Sequence, residues 1–331
     1  MDLDAYSAAR RDEWDDLARL SAKRRFSGDE ADDLIDRYQS GASDLSAIKS
    51  TLGSTQQGER LSLSLSRARL RFTGASTNAM SRLPAFFALQ LPAALYRIRW
   101  VTLAVAAAVF LYAILDAAWL IQHPALLLNF GSEQMLRDYA NQKFVNYYSA
   151  HGEGAFAGQV WTNNAWLAAQ CIALGITGLW PLQVIYSVGA ELGQGAAIMQ
   201  QYGRLDHFFL YIAPHGQLEL YSIFLAAAAG LMIAWAWIAP GGRTRAQALA
   251  EDGRALFTIV VGVILSLLIS GLIEGIVTRQ DWPWPIKIGI GTVALTVVLL
   301  YQWVIGRRAF RAGETGDLDE FEGGAKQIVA A

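Results

Sequence analysis

Apolar and polar residues divide this chain into two unlike parts. Residues 1–80 carry frequent charges and no long apolar run, whereas 155–190, 220–242, 255–273 and 288–306 contain no Asp, Glu, Lys or Arg at all. A helix of about 20 mostly apolar residues crosses the roughly 30 Å hydrocarbon core of a bilayer. Several such runs predict an all-α, polytopic membrane protein. The pattern places six spans at 98–122, 158–180, 182–202, 214–239, 255–279 and 285–306. Only Leu179-Trp180-Pro181 marks a turn between the second and third, so five spans is the alternative. Trp100, Trp180, Trp237, Trp282 and Trp284 fall near span ends, as an interfacial aromatic belt requires.

The expected organisation follows. Residues 1–78 form a small cytoplasmic helical domain, 79–97 an amphipathic interfacial elbow, 98–306 the transmembrane domain with an outer segment at 123–157, and 307–331 a disordered cytoplasmic tail. Within the first domain, Ser27-Gly-Asp-Glu30 has the form of a capping box, followed by Leu34, Ile35 and Tyr38 on one face. Leu61, Leu65, Ala68 and Phe72 make a second apolar stripe, ringed by Arg60, Arg67, Arg69 and Arg71. This reads as a helical bundle with a solvated face, the alternative being a basic face on anionic lipid. The elbow is apolar, holds Pro84 and Pro92, and is flanked by Arg82 and Arg97, a composition suited to lying in the membrane plane. Met1-Asp-Leu-Asp lacks the apolar core of a signal peptide.

Composition narrows the classes. The chain has 27 Lys+Arg against 29 Asp+Glu, a net charge of −2, and 17% charged residues. That disfavours a disordered chain and a basic nucleic-acid binder. The one cysteine, Cys171, excludes an internal disulfide and a multi-Cys metal cluster. Orientation follows from basic residues in short loops: Arg97 and Arg99, then Arg243, Arg245 and Arg254, then Arg307, Arg308 and Arg311 all fall on one side. Both termini are therefore expected in the cytoplasm.

Ionisable side chains inside a span are costly and point by default to a functional site or a paired structural contact. The spans hold Asp116, Asn163, Asn164, Glu191, His215, Glu219 and Glu274. All but Glu191 lie near one level; Asp116, Asn163, Asn164, Glu219 and Glu274 are on the order of 8 Å below the outer face at 1.5 Å per residue, which predicts one shared polar cluster. His215 and Glu219 share a helix face by their i, i+4 spacing. Pro214 suits a first helical turn, and Gly216 would admit a neighbouring backbone. Glu191 stands apart near mid-span, in a stretch where Gly189, Gly193 and Gly195 suit close helix packing, within the chain or in a homo-oligomer. The cluster is either a hydrogen-bonded structural network or a binding site. A metal held by His215, Glu219 and Glu274 has no compact ligand motif behind it, and neither a metal nor a cofactor is expected. GxGxxG, P-loop, GxSxG and HExxH motifs are absent from the sequence.

Asn163-Asn164, Gly189-Ala-Glu-Leu-Gly193, Pro214-His-Gly-Gln-Leu-Glu219 and Leu272-Ile-Glu274 together resemble the stage II sporulation protein M family. Glu13-Trp14-x-x-Leu17, Tyr38 and Asp44-Leu45 are similar to the cytoplasmic extension of its larger, non-sporulation members. The resemblance implies an integral membrane protein without catalytic chemistry of its own, acting with peptidoglycan-remodelling partners. Two functions are carried forward. One is a scaffold that recruits envelope proteins, with Tyr139, Phe144, Tyr147 and Tyr148 of the outer segment as contact residues. The other is a transporter or lipid-handling protein binding a cation, a proton or a head group at the cluster. An intramembrane hydrolase using Glu219 or Glu274 as general base is a third, without a nucleophile to support it.

Overall fold

The computed structural model describes residues 3–23, 26–52, 55–72, 83–147 and 153–317, and among these no strand occurs. The chain forms two compact units, divided between Arg82 and Leu83.

The first unit contains α1 (Leu3–Ala22), α2 (Gly28–Leu52) and α3 (Gln56–Phe72). Ser27 and Glu30 form the reciprocal cap expected of them, each side chain accepting from the other's backbone N–H at 3.3 Å. The three helices close over Leu17, Leu20, Leu34, Ile48, Leu61, Leu65 and Ala68, with Trp14, Tyr38 and Leu45 packed at the edge. Ile35 departs from expectation: it is 40% exposed. Leu34, Tyr38 and Leu45 follow the helical repeat, which turns position 35 about 100° away. Buried beneath the edge, Asp44 accepts from the Tyr6 hydroxyl at 2.7 Å and from Trp14 Nε1 at 2.9 Å. That first bond raises Tyr6 above the usual phenol range. Arg60, Arg67 and Arg69 are exposed on α3, while the side chains of Arg71 and Phe72 lie outside the described residues.

The second unit opens with a π-helical turn, Phe86–Gln90, running into α4 (Leu91–Arg97). Six long helices follow: α5 (Arg99–Gln122), α8 (Glu153–Ala173), α9 (Leu179–Gln201), α10 (Leu205–Ile238), α11 (Arg245–Leu272) and α12 (Trp284–Leu300). A π turn over Ile273–Thr278 continues α11, and another over Tyr301–Ile305 leads from α12 into α13 (Gly306–Arg311). Two short helices, α6 (Glu133–Asp138) and α7 (Phe144–Tyr147), lie between α5 and α8. Among the described residues, four stretches are long and apolar enough to cross a membrane: Arg99–Gln122, Leu205–Ile238, Arg245–Thr278 and Trp284–Arg311. The second and third expected spans form the helices α8 and α9, which carry Asn163, Asn164 and Glu191 within them. Phe110, Leu111, Ile114 and Leu115 on α5, with Val293, Val297 and Leu300 on α12, present apolar side chains outward. An apolar belt of that extent fits lipid and not water.

The helix α10 is the centre of the unit and touches α5, α8, α9, α11 and α12. It is buried on all sides from Tyr221 to Gly230, as a helix apolar all round must be. It begins at Leu205, nine residues before the expected start, so Pro214 lies inside the helix and not in its first turn. Loss of one backbone bond does not end a helix that buries so much on either side. The break between α8 and α9 also lies earlier than expected, at Gly175–Thr177 and Gly178, whose φ of 68° is the left-handed conformation glycine adopts without strain. Leu179-Trp180-Pro181 is the first turn of α9.

Three further expectations are corrected. The elbow region is not uniform: Leu83, Phe87 and Leu89 are exposed, whereas Leu91, Pro92, Ala93, Ala94 and Leu95 are buried, because five successive apolar residues leave α4 no polar face. Residues 79–82 lie outside the described residues. The beginning of the expected disordered tail is packed, with Asp317 accepting two bonds from Arg254 at 2.6 and 2.9 Å, and 318–331 lie outside the described residues. In the outer segment, Phe144 is buried against Phe208 and Tyr211 instead of offering a contact surface, and Tyr139 is half-buried. Tyr148 and the side chain of Tyr147 lie outside the described residues.

Candidate functional site

Between α8, α9, α10 and the π turn after α11 lies a cavity of about 760 Å³. Tyr139 and Phe144 belong to its wall, and its polar lining is Gln159, Asn163, Asn164, Glu191, His215, Glu219 and Glu274. Its centre is the α10 segment around Pro214. His215 and Glu219 face the same way, one turn apart, and Glu274 meets them from the π turn. A π turn inserts one extra residue into the helical repeat and re-aims the side chains it carries, a device frequent at functional sites.

The three side chains converge closely. One ligating atom from each of His215, Glu219 and Glu274 lies within 4.8 Å of the others. His215 Nε2 is 3.8 Å from Glu274 Oε1, and both residues are buried, at 5% and 3% exposure. Asn164 Nδ2 donates to Glu219 Oε1 at 2.9 Å, while Glu219 Oε2 is buried with no hydrogen-bond partner. Among the described residues no Lys or Arg is ion-paired with either carboxylate.

Surrounding groups hold this geometry. The His215 Nδ1 lies 3.3 Å from Thr278 Oγ1. Thr278 Oγ1 also donates to the Ile273 carbonyl at 3.4 Å, so it accepts from Nδ1–H and leaves the lone pair on Nε2. Ser270 Oγ donates to the His215 carbonyl at 3.0 Å, tying α10 to α11. Lys287 Nζ donates to the carbonyls of Thr278 and Gln280 at 3.2 and 3.0 Å, fixing the end of the π turn as a cation at a helix C-terminus does. Ser270 and Thr278 were not anticipated, yet they stand four residues either side of Glu274, the spacing of one helix face.

Not every anticipated residue joins the cluster. Asn163, Asn164, His215, Glu219 and Glu274 line the cavity together, and Glu191, expected apart, lines it too. Asp116 does not. It packs where α5 crosses α9, and its Oδ2 is buried without a hydrogen-bond partner. A Cβ added at Gly193 would stand 2.8 Å from that oxygen, and one at Gly189 would stand 2.7 Å from the Tyr112 ring. The Gly189-x-x-x-Gly193 pattern therefore serves a helix crossing within the chain. Gly195 meets the Phe208 ring, and Gly216 meets the side chain of Ile212 instead of a neighbouring backbone. Pro214 receives that close neighbour from elsewhere: Gly291 of α12 sits directly on its carbonyl.

The resulting chemistry is that of a pocket rich in lone pairs. Two carboxylates and an imidazole nitrogen face one another, with few donors to balance them. Such a set has the chemistry to hold protons or a cation.

Comparison with known proteins covers residues 4–279. Residues 73–279 match the family model described as Stage II sporulation protein M. Residues 4–74 match the model described as Domain of unknown function (DUF8413). No curated protein and no solved structure matches the chain.

Proposed function

We propose, from the premise that the chain belongs to the stage II sporulation protein M family, that it is a scaffold which gathers envelope-remodelling proteins at the bacterial cytoplasmic membrane. In this reading it spans the membrane several times, has both termini in the cytoplasm, and carries out no catalytic step itself. The observation that supports it is the division into a membrane unit and a separate three-helix unit with its own core. A polar unit attached to a membrane body is suited to holding a soluble partner at the bilayer. The exposed Arg60, Arg67 and Arg69 on α3 give it a basic surface for an acidic partner or anionic lipid. Crosslinking in cells followed by mass spectrometry tests the scaffold. Envelope proteins should be recovered with the N-terminal unit or the segment 123–157, and recovery of none with either region counts against it.

The cavity favours a second reading, in which the membrane unit binds a small ligand: a cation, a proton or a cationic head group. Glu219 is its principal carboxyl group, held by Asn164 at one oxygen and bare at the other. Reconstituted in liposomes, the wild type should show cation flux or head-group retention that Glu219→Gln lowers at least tenfold. Equal signals from wild type and a folded Glu219→Gln protein would sink this reading.

A further inference from the structure

We propose that His215, Glu219 and Glu274 form a binding site for a divalent transition-metal ion of the zinc class, set in the cavity wall. The proposal rests on the second reading above, that the cavity takes a ligand, and narrows that ligand to a metal.

Geometry carries it first. The three donor atoms come from two different helices, yet lie within 4.8 Å of one another. A tetrahedral ion with ligand bonds of about 2.1 Å holds its ligands roughly 3.4 Å apart. The Nε2–Oε1 separation of 3.8 Å already approaches that figure. Closing the remainder needs small torsions at Glu219, the least enclosed of the three. One imidazole and two carboxylates suit zinc and its first-row neighbours better than a hard cation, which takes oxygen ligands alone.

The orientation of the histidine is a second observation. Its Nδ1–H is turned to Thr278, whose hydroxyl proton goes to the Ile273 carbonyl, so the lone pair of Nε2 faces Glu274. Metal-bound histidines show this arrangement, the second nitrogen being fixed by a hydrogen bond from outside the site.

A third observation concerns what the carboxylates lack. Glu274 is 3% exposed and lines the cavity, and among the described residues no hydrogen-bond donor reaches its carboxylate. The buried Oε2 of Glu219 is likewise unpartnered. A buried carboxylate oxygen without a hydrogen-bond partner, beside a second carboxylate, is a costly arrangement unless something positive sits between them. The cavity on the open side leaves room for a water or a substrate atom as a fourth ligand.

The test is calorimetric titration of the full chain in nanodiscs, stripped with chelator, using Zn²⁺ alone as the probe and Mg²⁺ as comparator. One Zn²⁺ should bind per chain, with Mg²⁺ giving no saturable heat. His215→Ala and Glu274→Gln should each weaken Zn²⁺ at least 100-fold, and Thr278→Val about tenfold, the usual loss for an outer hydrogen-bond partner. Asp116→Asn, off the cavity where α5 crosses α9, should bind as the wild type does. Metal-free thermal melts show whether each variant is folded, and the wild-type titration stands whatever the variants do. No saturable Zn²⁺ binding, or equal affinity in wild type and Glu274→Gln, overturns the proposal. A silent titration alongside Glu219-dependent flux overturns the metal and leaves the cavity reading; silence in both removes the two together.

Discussion

Gly291→Ala lowers the melting temperature of the membrane unit by roughly 10 °C, whereas Gly289→Ala, two residues earlier on α12, leaves it unchanged or slightly raised. A Cβ at Gly291 would stand 1.9 Å from the Pro214 carbonyl oxygen and 3.3 Å from that of Ala213, while a Cβ at Gly289 meets nothing within 4 Å. The first contact is with backbone in the middle of the central helix, which no side-chain rotation relieves. The helix α12 must move away by more than an ångström to accommodate a methyl group. Overpacking of this kind costs about 3 kcal/mol at the upper end of its usual range, and each kcal/mol shifts the midpoint of a unit this size by about 2–4 °C. At Gly289 the same change gains up to about 1 kcal/mol of helix propensity.

The displacement would also reach the site. The Gln217 amide is bonded to Thr292 of α12 at 3.1 Å, and Lys287 holds the carbonyls at the end of the π turn. If α12 shifts, both attachments loosen, and with them Thr278 and the orientation of His215. Differential melting in detergent, followed by tryptophan fluorescence, distinguishes the two variants; equal midpoints would show that α12 does not press on Pro214 as described.

How far the sequence foretold this arrangement depends on which physical signal each feature leaves. The helix Arg99–Gln122 lies within a residue of its expected bounds, since a charged residue opens it and a histidine and a proline follow it. The start of α10 was misplaced because proline is read as a beginning, although a helix apolar on both sides of it outweighs one lost backbone bond. Residue counting along the spans groups Asn164, His215, Glu219 and Glu274, which line one cavity. Direction around the helix axis is not legible that way. Asp116 shares their depth and faces α9 instead, while Glu191 lies at another depth and reaches the cavity all the same. The role of Gly291 could not be read from its own neighbours at all. It depends on a contact 77 residues away in sequence, between α12 and the carbonyl of Pro214.

Asp44→Ala unfolds the N-terminal unit without disturbing the membrane unit. Asp44 is 4% exposed and accepts from both Tyr6 and Trp14, groups 38 and 30 residues away. It thereby pins the start and middle of α1 to α2. Removing it leaves a hydroxyl and an indole N–H without an acceptor beneath the helix edge. A lost bond to a charged group costs about 1.5–3 kcal/mol, so the pair together comes to roughly 3–6 kcal/mol. A three-helix unit of this length holds only about 3–5 kcal/mol in total. Asp44→Asn keeps one acceptor oxygen, loses one bond and leaves the unit folded. Hydrogen exchange of the intact chain reads the difference residue by residue. In Asp44→Ala the amides around Leu17, Ile48 and Leu61, at the centre of the unit's core, should lose their protection, and those of α10 should keep theirs. Persistent protection at Leu17 would mean that the apolar core alone suffices. The same variant separates the two functional readings: loss of the soluble unit should remove its crosslinks to partners, and should leave Zn²⁺ binding at His215, Glu219 and Glu274 as it was.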